Sequence, residues 1–387
     1  MAISRRIDTN IRKVYVSALD TYEPSAVSAV LLPLLDGMLA DNGIEKPSLA
    51  GKNVVLKPNL LAKREAEAGI TTHPAFVTAC AAYFTAAGAK VTVADSPGGV
   101  YTVSVLEGIY RVTGMEAACN ATGAVPNKDT GFTAVRRTEL SPHSFNILTP
   151  LANADLIVNL PRLKTHALCE ISAAVKNMFG SIPGLQKAEQ HARFPRRLDF
   201  ADMLCDLCLI TAPQISIIDG VLGMEGNGPA GGTLKKVGTV IASANPFAAD
   251  LVAAYVMGYK PDEVGTLQCA LRRGLCPSSL AELTLVGENP ARFAGDFRRP
   301  DASAGGLLKQ LPTLFGGRLQ KLLEPRPAVD PSRCIGCGAC AANCPVSTIK
   351  VENKKAHISP KACIKCYCCQ EFCPVKAIKI KRFFLFR

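Results

Sequence analysis

The chain has 387 residues, of which 48% are hydrophobic and 20% are charged. This length allows one large domain or two smaller ones, each with its own apolar core. We see no export signal and no run of about 18 apolar residues, so we expect a cytoplasmic protein without a transmembrane segment. The net charge is +12, but the basic residues are spread out and lack interleaved aromatic residues, which argues against nucleic-acid binding.

The first 295 residues alternate short β-rich runs with helical ones, which predicts an α/β domain with a mostly parallel, doubly wound sheet. The predicted strands are KVYVSAL (13–19), NVVLK (53–57), AKVTVAD (89–95), DLIVNL (155–160), QISIID (214–219) and VGTVIAS (237–243). The predicted helices lie at 24–42, from 74, after 101, around 199–210 and after 246. Thr72 or His73 is placed to cap the helix that begins at Pro74, and Gly88 suits its end.

Polar side chains follow four of these strands. They are Lys57, Asn59, Asp95, Ser96, Lys164, His166, Asp219 and Glu225. In open α/β sheets, ligands bind outside the carboxyl ends of the strands, so parallel strands would bring these loops to one edge and form a shared ligand site. Taken singly, each residue could instead cap a helix, form a turn or be solvated. The glycine-rich segment GMEGNGPAGG (223–232) matches neither the dinucleotide nor the Walker pattern, and no flavin or nicotinamide fingerprint is visible.

The next segment, AAVKNMFGSIPGLQKAEQHARFPRRLDF (173–200), is basic and interrupted by glycine and proline. Its polar residues of interest are Lys176, Asn177, Lys187, His191 and Arg193. We interpret residues 180–197 as a loop that folds over the strand ends as a lid. Its lysines and histidines suit a substrate that bears a carboxylate or phosphate; a solvated basic loop is the alternative.

Eight cysteines near the end of the chain form the clearest chemical pattern. The runs CIGCGACAANCP (334–345) and CIKCYCCQEFCP (363–374) both have the spacing C-x2-C-x2-C-x3-C-P. This is the spacing of bacterial two-cluster ferredoxins, in which the fourth cysteine of each run ligates the other 4Fe-4S cluster. The predicted ligands are Cys334, Cys337, Cys340 and Cys373 for the first cluster and Cys363, Cys366, Cys369 and Cys344 for the second. Zinc sites usually use separated C-x2-C pairs, so we favour iron–sulfur clusters.

The other eight cysteines fit no such pattern. Cys368 lies inside the second run but occupies no ligand position, and we expect a small packed or partly exposed thiol. Seven others are predicted to be buried core thiols: Cys80, Cys119, Cys169, Cys205, Cys208, Cys269 and Cys276. Sixteen cysteines in a chain without an export signal indicate metal ligation in a reducing compartment rather than a disulfide framework.

The cysteine runs define a small C-terminal α+β domain at 327–387. Between the runs, STIKVENKKAHIS (347–359) predicts a hairpin with its turn at 353–355, and AIKIKRFF (377–384) predicts a closing strand. Residues 296–326 are predicted to be a linker whose broken amphipathic helices, in LLKQLPTLFGGRLQKLL (307–323), dock this domain onto the domain at 1–295. The tail RFFLFR (382–387) is predicted to pack over the clusters or the larger domain, with contact to a membrane or a partner as the alternative. Contact with a membrane surface is also the alternative for the linker.

Six motifs together resemble the family called domain of unknown function 362: KPNL (57–60), TTHP (71–74), DSPGG (95–99), PRLKTH (161–166), AVKNMFG (174–180) and DGVLGMEGNGP (219–229). The resemblance covers most of residues 10–295, and the cysteine domain matches the two-cluster module that many members of the family carry. It implies an iron–sulfur redox protein of the kind found mostly in anaerobic or facultative microbes, with no generally assigned reaction. A more distant resemblance in fold links the family to lactate racemases, whose sites use histidines and a nickel cofactor.

The leading functional hypothesis is an oxidoreductase that receives low-potential electrons from a ferredoxin or another redox partner and delivers them to an anionic small molecule. Lys57, Lys164 and Lys187 would hold negative charge, and His166 and His191 would supply protons. Asp95, Asp219 or Glu225 would orient a histidine, act as a base or bind a metal. The other predicted substrate-binding residues are Asn59, His73, Ser96, Lys176, Asn177 and Arg193.

Two alternatives belong to other functional classes. The first is an electron-transfer or assembly protein without turnover, whose strand ends dock a partner protein. The second is a lactate-racemase-like isomerase or a protein that handles a metallocofactor. A preformed pocket at the strand ends would favour the enzyme or the isomerase over the docking protein, and bound metal other than iron would favour the last class.

Overall fold

The computed structural model describes residues 5–141, 143–306 and 325–381. The predicted linker helices at 307–323 and the tail at 382–387 lie outside the described residues. The strands are β1 Lys13–Ala18, β2 Asn53–Pro58, β3 Lys90–Val93, β4 Val125–Pro126, β5 Phe132–Arg136, β6 Ser144–Leu148, β7 Leu156–Leu160, β8 Arg162–His166, β9 Glu170–Ser172, β10 Ile215–Glu225, β11 Thr233–Ser243, β12 Thr284–Gly287, β13 Arg326–Val329, β14 Ile349–Glu352, β15 Lys355–Ile358 and β16 Ile378–Lys381.

The α-helices are α1 Pro24–Asp41, α2 Pro74–Ala86, α3 Val103–Val112, α4 Met115–Thr122, α5 Thr149–Ala152, α6 Ala174–Asn177, α7 Gln186–Arg193, α8 Arg197–Thr211, α9 Pro246–Val256, α10 Gly265–Arg272, α11 Ala339–Ala342 and α12 Cys368–Glu371. Short 3-10 helices lie at Lys46–Leu49, Ala66–Ala68, Met178–Ser181, Pro261–Glu263, Leu280–Glu282, Pro290–Arg292 and Asp301–Gly306.

The main sheet has the strand order β12-β1-β11-β10-β7-β2-β3-β4, with β8 beside β10 and β9 beside β8. Strands β2, β3, β7 and β10, whose ends carry the predicted polar loops, are parallel to their neighbours in this group. β11 runs antiparallel to both β1 and β10 because it returns from β10 as a hairpin. The mostly parallel α/β fold predicted from the sequence is therefore confirmed.

Side-chain alternation along the strands divides the apolar residues between two cores. Val54 and Leu56 of β2 point into a core that is completed by α1 to α4, whereas Val55 points into the core completed by α6, α8, α9 and α10. Burying one such valine or leucine is worth about 1.5–3 kcal/mol. Both faces of the sheet are thus covered by helices, which leaves the strand ends as the edge where polar side chains collect.

Among the helices of the described residues, only α1 is long and apolar enough to span a membrane. A face of six side chains is nevertheless buried: Val27, Leu31, Leu34, Leu35, Met38 and Leu39. This face packs against α2 in the protein core. The helix therefore has the one-sided apolar pattern of a core helix.

The structure differs from the sequence prediction in two places near the strand ends. PRLKTH does not form a loop: Pro161 interrupts the ladder after β7, and the chain resumes as β8, paired with β10 and β9. The predicted lid at 180–197 also contains α7, because a run of helix-favouring residues lies between Pro183 and Pro195. Both segments carry predicted site residues, and regular structure now fixes their positions.

The C-terminal module, residues 325–381, is built from two small antiparallel pairs and two short helices. β14 and β15 form the predicted hairpin, and its turn residues Asn353 and Lys354 have φ values of 50° and 57°, as a tight two-residue turn requires. The closing strand β16 pairs with β13, at the start of the module. Helices α11 and α12 occupy equivalent places within the two cysteine runs.

The module docks over the strand ends of the α/β domain. Arg64 donates a hydrogen bond to the carbonyl oxygen of Pro374 at 2.8 Å, and the Gln370 side-chain nitrogen lies 3.3 Å from the carbonyl oxygen of Asn227. Gly98 lies against the ring of Phe372, and a Cβ atom on Gly98 would overlap the ring. The absence of a side chain at position 98 therefore permits this contact.

This contact yields a test of docking. We expect Gly98→Val to displace Phe372 and to separate the module from the α/β domain at a cost of about 1–3 kcal/mol of overpacking. Limited proteolysis should then cut between the two parts faster, while iron content, which depends on the cysteines, stays at the wild-type level. Adding Phe372→Ala should restore slow proteolysis because it removes the overlapping ring; equal cleavage of wild type and Gly98→Val would refute the contact.

Candidate functional site: a cavity between the α/β domain and the ferredoxin module

The first cluster site is a cavity of about 330 Å³ inside the module. Its wall includes the four predicted ligands Cys334, Cys337, Cys340 and Cys373. The last of these, from the second cysteine run, therefore lies beside the three ligands of the first run. The rest of the wall is small or apolar, as suits a cluster that must be shielded from water. The residues present therefore fit a 4Fe-4S cluster at this place.

Backbone N–H groups point at several of these sulfurs. Ala377 N lies 3.1 Å from Cys373 Sγ, and Ala356 N lies 3.4 Å from Cys334 Sγ. Hydrogen bonds from Ala356 and then from Gly336 hold the pKa of the Cys334 thiol below its ordinary value. Donors of this kind stabilise a thiolate, which is the form that binds iron.

The thiols predicted for the second cluster are also close together. Burial, followed by the charges of the neighbouring thiols of Cys366 and Cys363, raises the pKa of Cys369. Cys344 belongs to the same group, and its sulfur lies 3.4 Å from the backbone nitrogen of Thr348. The charge of Cys340, a predicted ligand of the first cluster, also acts on Cys369, so the assignment of these four thiols to the second cluster stays a prediction.

Cys368 and Cys366 provide a matched pair for testing the ligand assignment. Cys366→Ser should lower bound iron and the visible cluster absorbance by about half, if each run supplies three ligands to one of two clusters. Cys368→Ser should leave both at the wild-type level. Iron determination and absorbance after anaerobic reconstitution measure this; loss of iron in Cys368→Ser would make that residue a ligand.

The second cavity, called the interdomain cavity below, lies between the strand ends and the module. It encloses about 700 Å³ of empty space, its open mouth included. The α/β domain contributes predicted site residues to its wall: Asn59, Asp95, Ser96, Lys164, His166, Lys176, Asn177, Lys187 and His191. The module contributes Asn343, Cys368, Glu371 and Phe372. Nine of the fourteen predicted site residues of the α/β domain are therefore brought to one space.

Lys164 is fully buried, and its hydrogen-bond acceptors among the described residues are neutral. Its Nζ donates to the Ile70 carbonyl oxygen at 2.7 Å and to Asn59 Oδ1 at 3.0 Å. Burial lowers its pKa to about 7, and the charges of Arg162 and Lys176 add to this effect. A buried amine without a carboxylate partner is poised to bind an anion or to exchange a proton near neutral pH.

An amide chain fixes Asn59, the partner of Lys164. Asn59 donates to Asn177 Oδ1 at 3.1 Å, and Asn177 donates in turn to Asn159 Oδ1 at 2.8 Å. Asn159 lies on β7 opposite Lys57 of β2 in the sheet register. The position of the Lys164 amine is therefore set by side chains that lie just after β2, on α6 and on β7.

The lowered pKa of Lys164 predicts a pH dependence of stability. Between about pH 7 and 10.5 the unfolded chain binds a proton at this lysine that the folded chain does not, so stability rises with pH across that window and is lost as pH falls through it. In Lys164→Met we expect a smaller slope, by up to about 1.4 kcal/mol per pH unit. Urea midpoints at several pH values in the window measure it; identical slopes would contradict the shift.

A second lysine, Lys187 of α7, reaches the cavity from the opposite side. Its Nζ donates to Ser96 Oγ at 2.6 Å and to the Ile182 carbonyl oxygen at 2.9 Å. Burial lowers its pKa to about 7, against the opposing charge of Asp95. Asp95 is itself paired with the buried Lys57, whose Nζ lies 2.7 Å from its Oδ1. Lys57 thus contacts the cavity only through Asp95.

His166 faces the module. Its Nδ1 accepts hydrogen bonds from the backbone nitrogens of Leu168 at 3.1 Å and Cys169 at 3.2 Å. The proton of the neutral ring therefore lies on Nε2, which is 3.2 Å from Glu371 Oε1. Burial and the charge of Lys176 lower the pKa of His166, while Glu371 opposes the shift. The ring can offer a proton only on the side that faces the cavity.

His191 lies in the same wall but in a more apolar setting. It stacks on Phe200 with ring centroids 4.2 Å apart and meets Phe179 edge-on. Burial lowers its pKa to about 3, so the ring is neutral at physiological pH. This environment suits hydrogen bonding to a ligand better than the proton-donating role expected from the sequence.

Besides Lys57, four predicted site residues lie outside the cavity. Asp219 is buried in an ion pair with Arg162 at 2.7 Å and accepts a hydrogen bond from Tyr22. His73 caps α2 through its Nδ1 and stacks on the Tyr22 ring. The other two have separate partners: Glu225 pairs with Lys235 at 3.4 Å, and Arg193 lies over the Phe194 ring. Local packing and ion pairing account for all four.

Sequence reasoning missed the residues that the module contributes. Glu371 lies between the predicted cluster ligands Cys369 and Cys373, where a buried carboxylate needs a polar partner. That need was the available signal, but the partner, Nε2 of His166, belongs to a residue about 200 positions away. Cys368 is buried, at 3% exposure, and its thiol lines the cavity. The seven cysteines of the α/β domain are all buried as well.

Comparison with known proteins agrees with this division of the chain. The family model described as 4Fe-4S dicluster domain matches residues 326–374. A thylakoid-associated protein of Synechocystis sp. is 32% identical over 292 residues, which cover 74% of this chain and 87% of that protein. The lactate racemase apoprotein of Thermoanaerobacterium thermosaccharolyticum is 13% identical with a TM-score of 0.38, over 63% of this chain and 58% of its own length. Residues 54–255, more than half of the chain, match the domain of unknown function DUF362, and the chain belongs to that family.

Proposed function

We propose that this protein is an iron–sulfur oxidoreductase that passes low-potential electrons through two 4Fe-4S clusters to an anionic small molecule bound in the interdomain cavity. The composition of the cavity wall carries the proposal. Cys368 and Glu371, which lie among the predicted ligands of the second cluster, face the same space as Lys164 and His166. A bound molecule would therefore contact both the polar strand ends and the loop that holds a cluster.

The charges around the cavity favour an anion. Lys164, Lys176 and Lys187 all line it. Of the two carboxylates in its wall, Asp95 is paired with Lys57 and Glu371 contacts His166. The lysines therefore have the least compensated charge, which suits a carboxylate or phosphate group on the substrate.

The chain's own side chains supply binding and protons. When bound, the clusters would supply single electrons at low potential. Lys164 can hold or release a proton at Nζ near neutral pH, and His166 presents a proton at Nε2. Lys176 and Lys187 would hold the anionic group. A concave cavity around these residues, in place of a flat surface, supports a small-molecule substrate over the docking of a partner protein.

The test is anaerobic reoxidation. Protein with reconstituted clusters is reduced by dithionite, excess reductant is removed, and candidate carboxylates and phosphate esters are added while cluster absorbance is followed. Reoxidation by one chemical class, with one product formed per two electrons lost, supports the enzyme. No reoxidation by any class, together with rapid electron transfer to a protein acceptor, would favour the carrier; bound nickel or another metal would favour the metallocofactor class.

The cytoplasmic location is part of the same proposal. The Synechocystis relative is thylakoid-associated, so association with a membrane surface is the competing expectation. Fractionation of cells that express the tagged full chain separates the two outcomes. Recovery in the soluble fraction at both low and high salt supports the cytoplasmic location.

A further inference from the structure

The two predicted cluster sites lie in different surroundings. The second is next to the interdomain cavity, where Cys368 and Cys369 are buried at 3% and 7% exposure. The first lies beside an open face of the module, where Cys337 is exposed and the neighbouring Ile335 is 59% exposed. Electrons that travel to the interdomain cavity would thus enter the module at its exposed end, through the first cluster.

The module is strongly basic. Residues 326–381 contain ten lysines and arginines, namely Arg326, Arg333, Lys350, Lys354, Lys355, Lys361, Lys365, Lys376, Lys379 and Lys381. They contain three carboxylates, namely Asp330, Glu352 and Glu371. Glu371 is directed at His166, and Asp330 lies 2.9 Å from Lys379. Two oxidised 4Fe-4S clusters with their thiolates would add about four negative charges, which still leaves the basic residues of the module in excess.

Several of these basic residues surround the first cluster site. Lys355 donates to the Cys334 carbonyl oxygen at 2.8 Å and so fixes the β14–β15 hairpin against the cysteine loop. Lys354, at the hairpin turn, is exposed and lies against Gly336. Arg333 precedes Cys334, Lys376 follows Val375 in the cavity wall, and both are exposed. We call Arg333, Ile335, Lys354 and Lys376 the entry face.

From this arrangement we infer that the entry face is the docking surface for an acidic one-electron carrier protein, which reduces the first cluster. The inference rests on the proposed electron-transfer function. An exposed apolar residue beside the cluster site, with a basic rim around it, is the usual layout of a small transient interface. Complementary charge would steer an acidic partner to this face, and the encounter should weaken with salt.

The test uses the full chain with reconstituted clusters and a small acidic 2Fe-2S ferredoxin as the probe. Stopped-flow absorbance follows cluster reduction by the reduced ferredoxin, and the Kd of the oxidised ferredoxin is measured without any electron transfer. The entry-face variant is Arg333→Glu/Lys354→Glu/Lys376→Glu. Its matched control, Lys90→Glu/Arg111→Glu/Lys236→Glu, makes the same change in net charge at exposed positions of the α/β domain.

We expect the entry-face variant to slow reduction by at least ~10-fold at low salt and to weaken binding comparably, whereas the control changes both by less than about twofold. Ile335→Ser should weaken binding without altering its salt dependence. Reduction by dithionite should be equal in all variants, which shows that the clusters are intact. Equal losses in the control, or no loss in the entry-face variant, would overturn the inference.

A membrane is the other acidic surface that this face could meet. Vesicles of anionic phospholipid are therefore tested with the same variants, and binding that the entry-face variant loses while ferredoxin kinetics stay unchanged would also overturn the inference. No metabolite is present in these assays, and the reoxidation assay starts from dithionite-reduced protein. Failure of the entry face can thus be distinguished from failure of the proposed substrate site.

Discussion

Replacing Lys164 with methionine should slow substrate-driven reoxidation of the reduced protein by about 10²–10⁴-fold, the range expected when a positioned proton donor is lost. Methionine keeps much of the apolar stem but removes both the charge and the exchangeable proton at Nζ. Lys164 is fully buried, and Asn59 Oδ1 and the Ile70 carbonyl oxygen hold its Nζ at one defined point of the cavity wall. The measurement is the rate of return of cluster absorbance after addition of the substrate.

The control for this variant is Lys128→Met, which removes an exposed lysine that pairs with Glu107 and does not line the interdomain cavity. It should reoxidise at the wild-type rate. Iron content and the rate of reduction by dithionite should be the same in all three proteins. If Lys164→Met reoxidises as fast as the control, the buried amine does not serve the reaction, and the cavity must be assigned another role.

The parts of this site that sequence could predict are those with a local pattern. The spacing of Cys334, Cys337 and Cys340 specifies a cluster loop because the ligands lie within one turn of chain. The strand ends could also be located, since apolar runs stop at Lys57 and Asp95. Residues that follow parallel strands meet at one edge, which made a shared site a physical expectation.

What sequence could not predict depends on exposure and on contacts between distant segments. Lys164 and Asp219 both follow apolar strands, but Lys164 lines the cavity whereas Asp219 is buried in a pair with Arg162. Nothing in the residue types separates these two outcomes. The contact between His166 and Glu371 depends on how the module docks, and docking depends on a missing side chain at Gly98. Such a contact produces no recognisable pattern in the amino-acid sequence.

Replacing Lys57 with methionine should destabilise the α/β domain by about 3–5 kcal/mol, because it leaves the Asp95 carboxylate buried without its partner. The side chains of Lys57 and Asp95 are 0% and 4% exposed, and the second Asp95 oxygen accepts a hydrogen bond from Leu60 N at 2.7 Å. This loss is a large share of the roughly 5–15 kcal/mol that keeps a typical domain folded. Far-UV circular dichroism in urea measures it, while visible absorbance reports separately on the clusters.

The double variant Lys57→Met/Asp95→Asn isolates the buried charge as the cause. Asparagine keeps an oxygen for Leu60 N but carries no charge. The double variant should therefore be more stable than Lys57→Met alone, even though it carries one more substitution. Gly180 offers a second check, because a Cβ atom there would overlap Asp95 and approach Lys57. Gly180→Ala should therefore lower the urea midpoint with the pair still present. A double variant less stable than Lys57→Met would show that Asp95 stabilises the fold without Lys57.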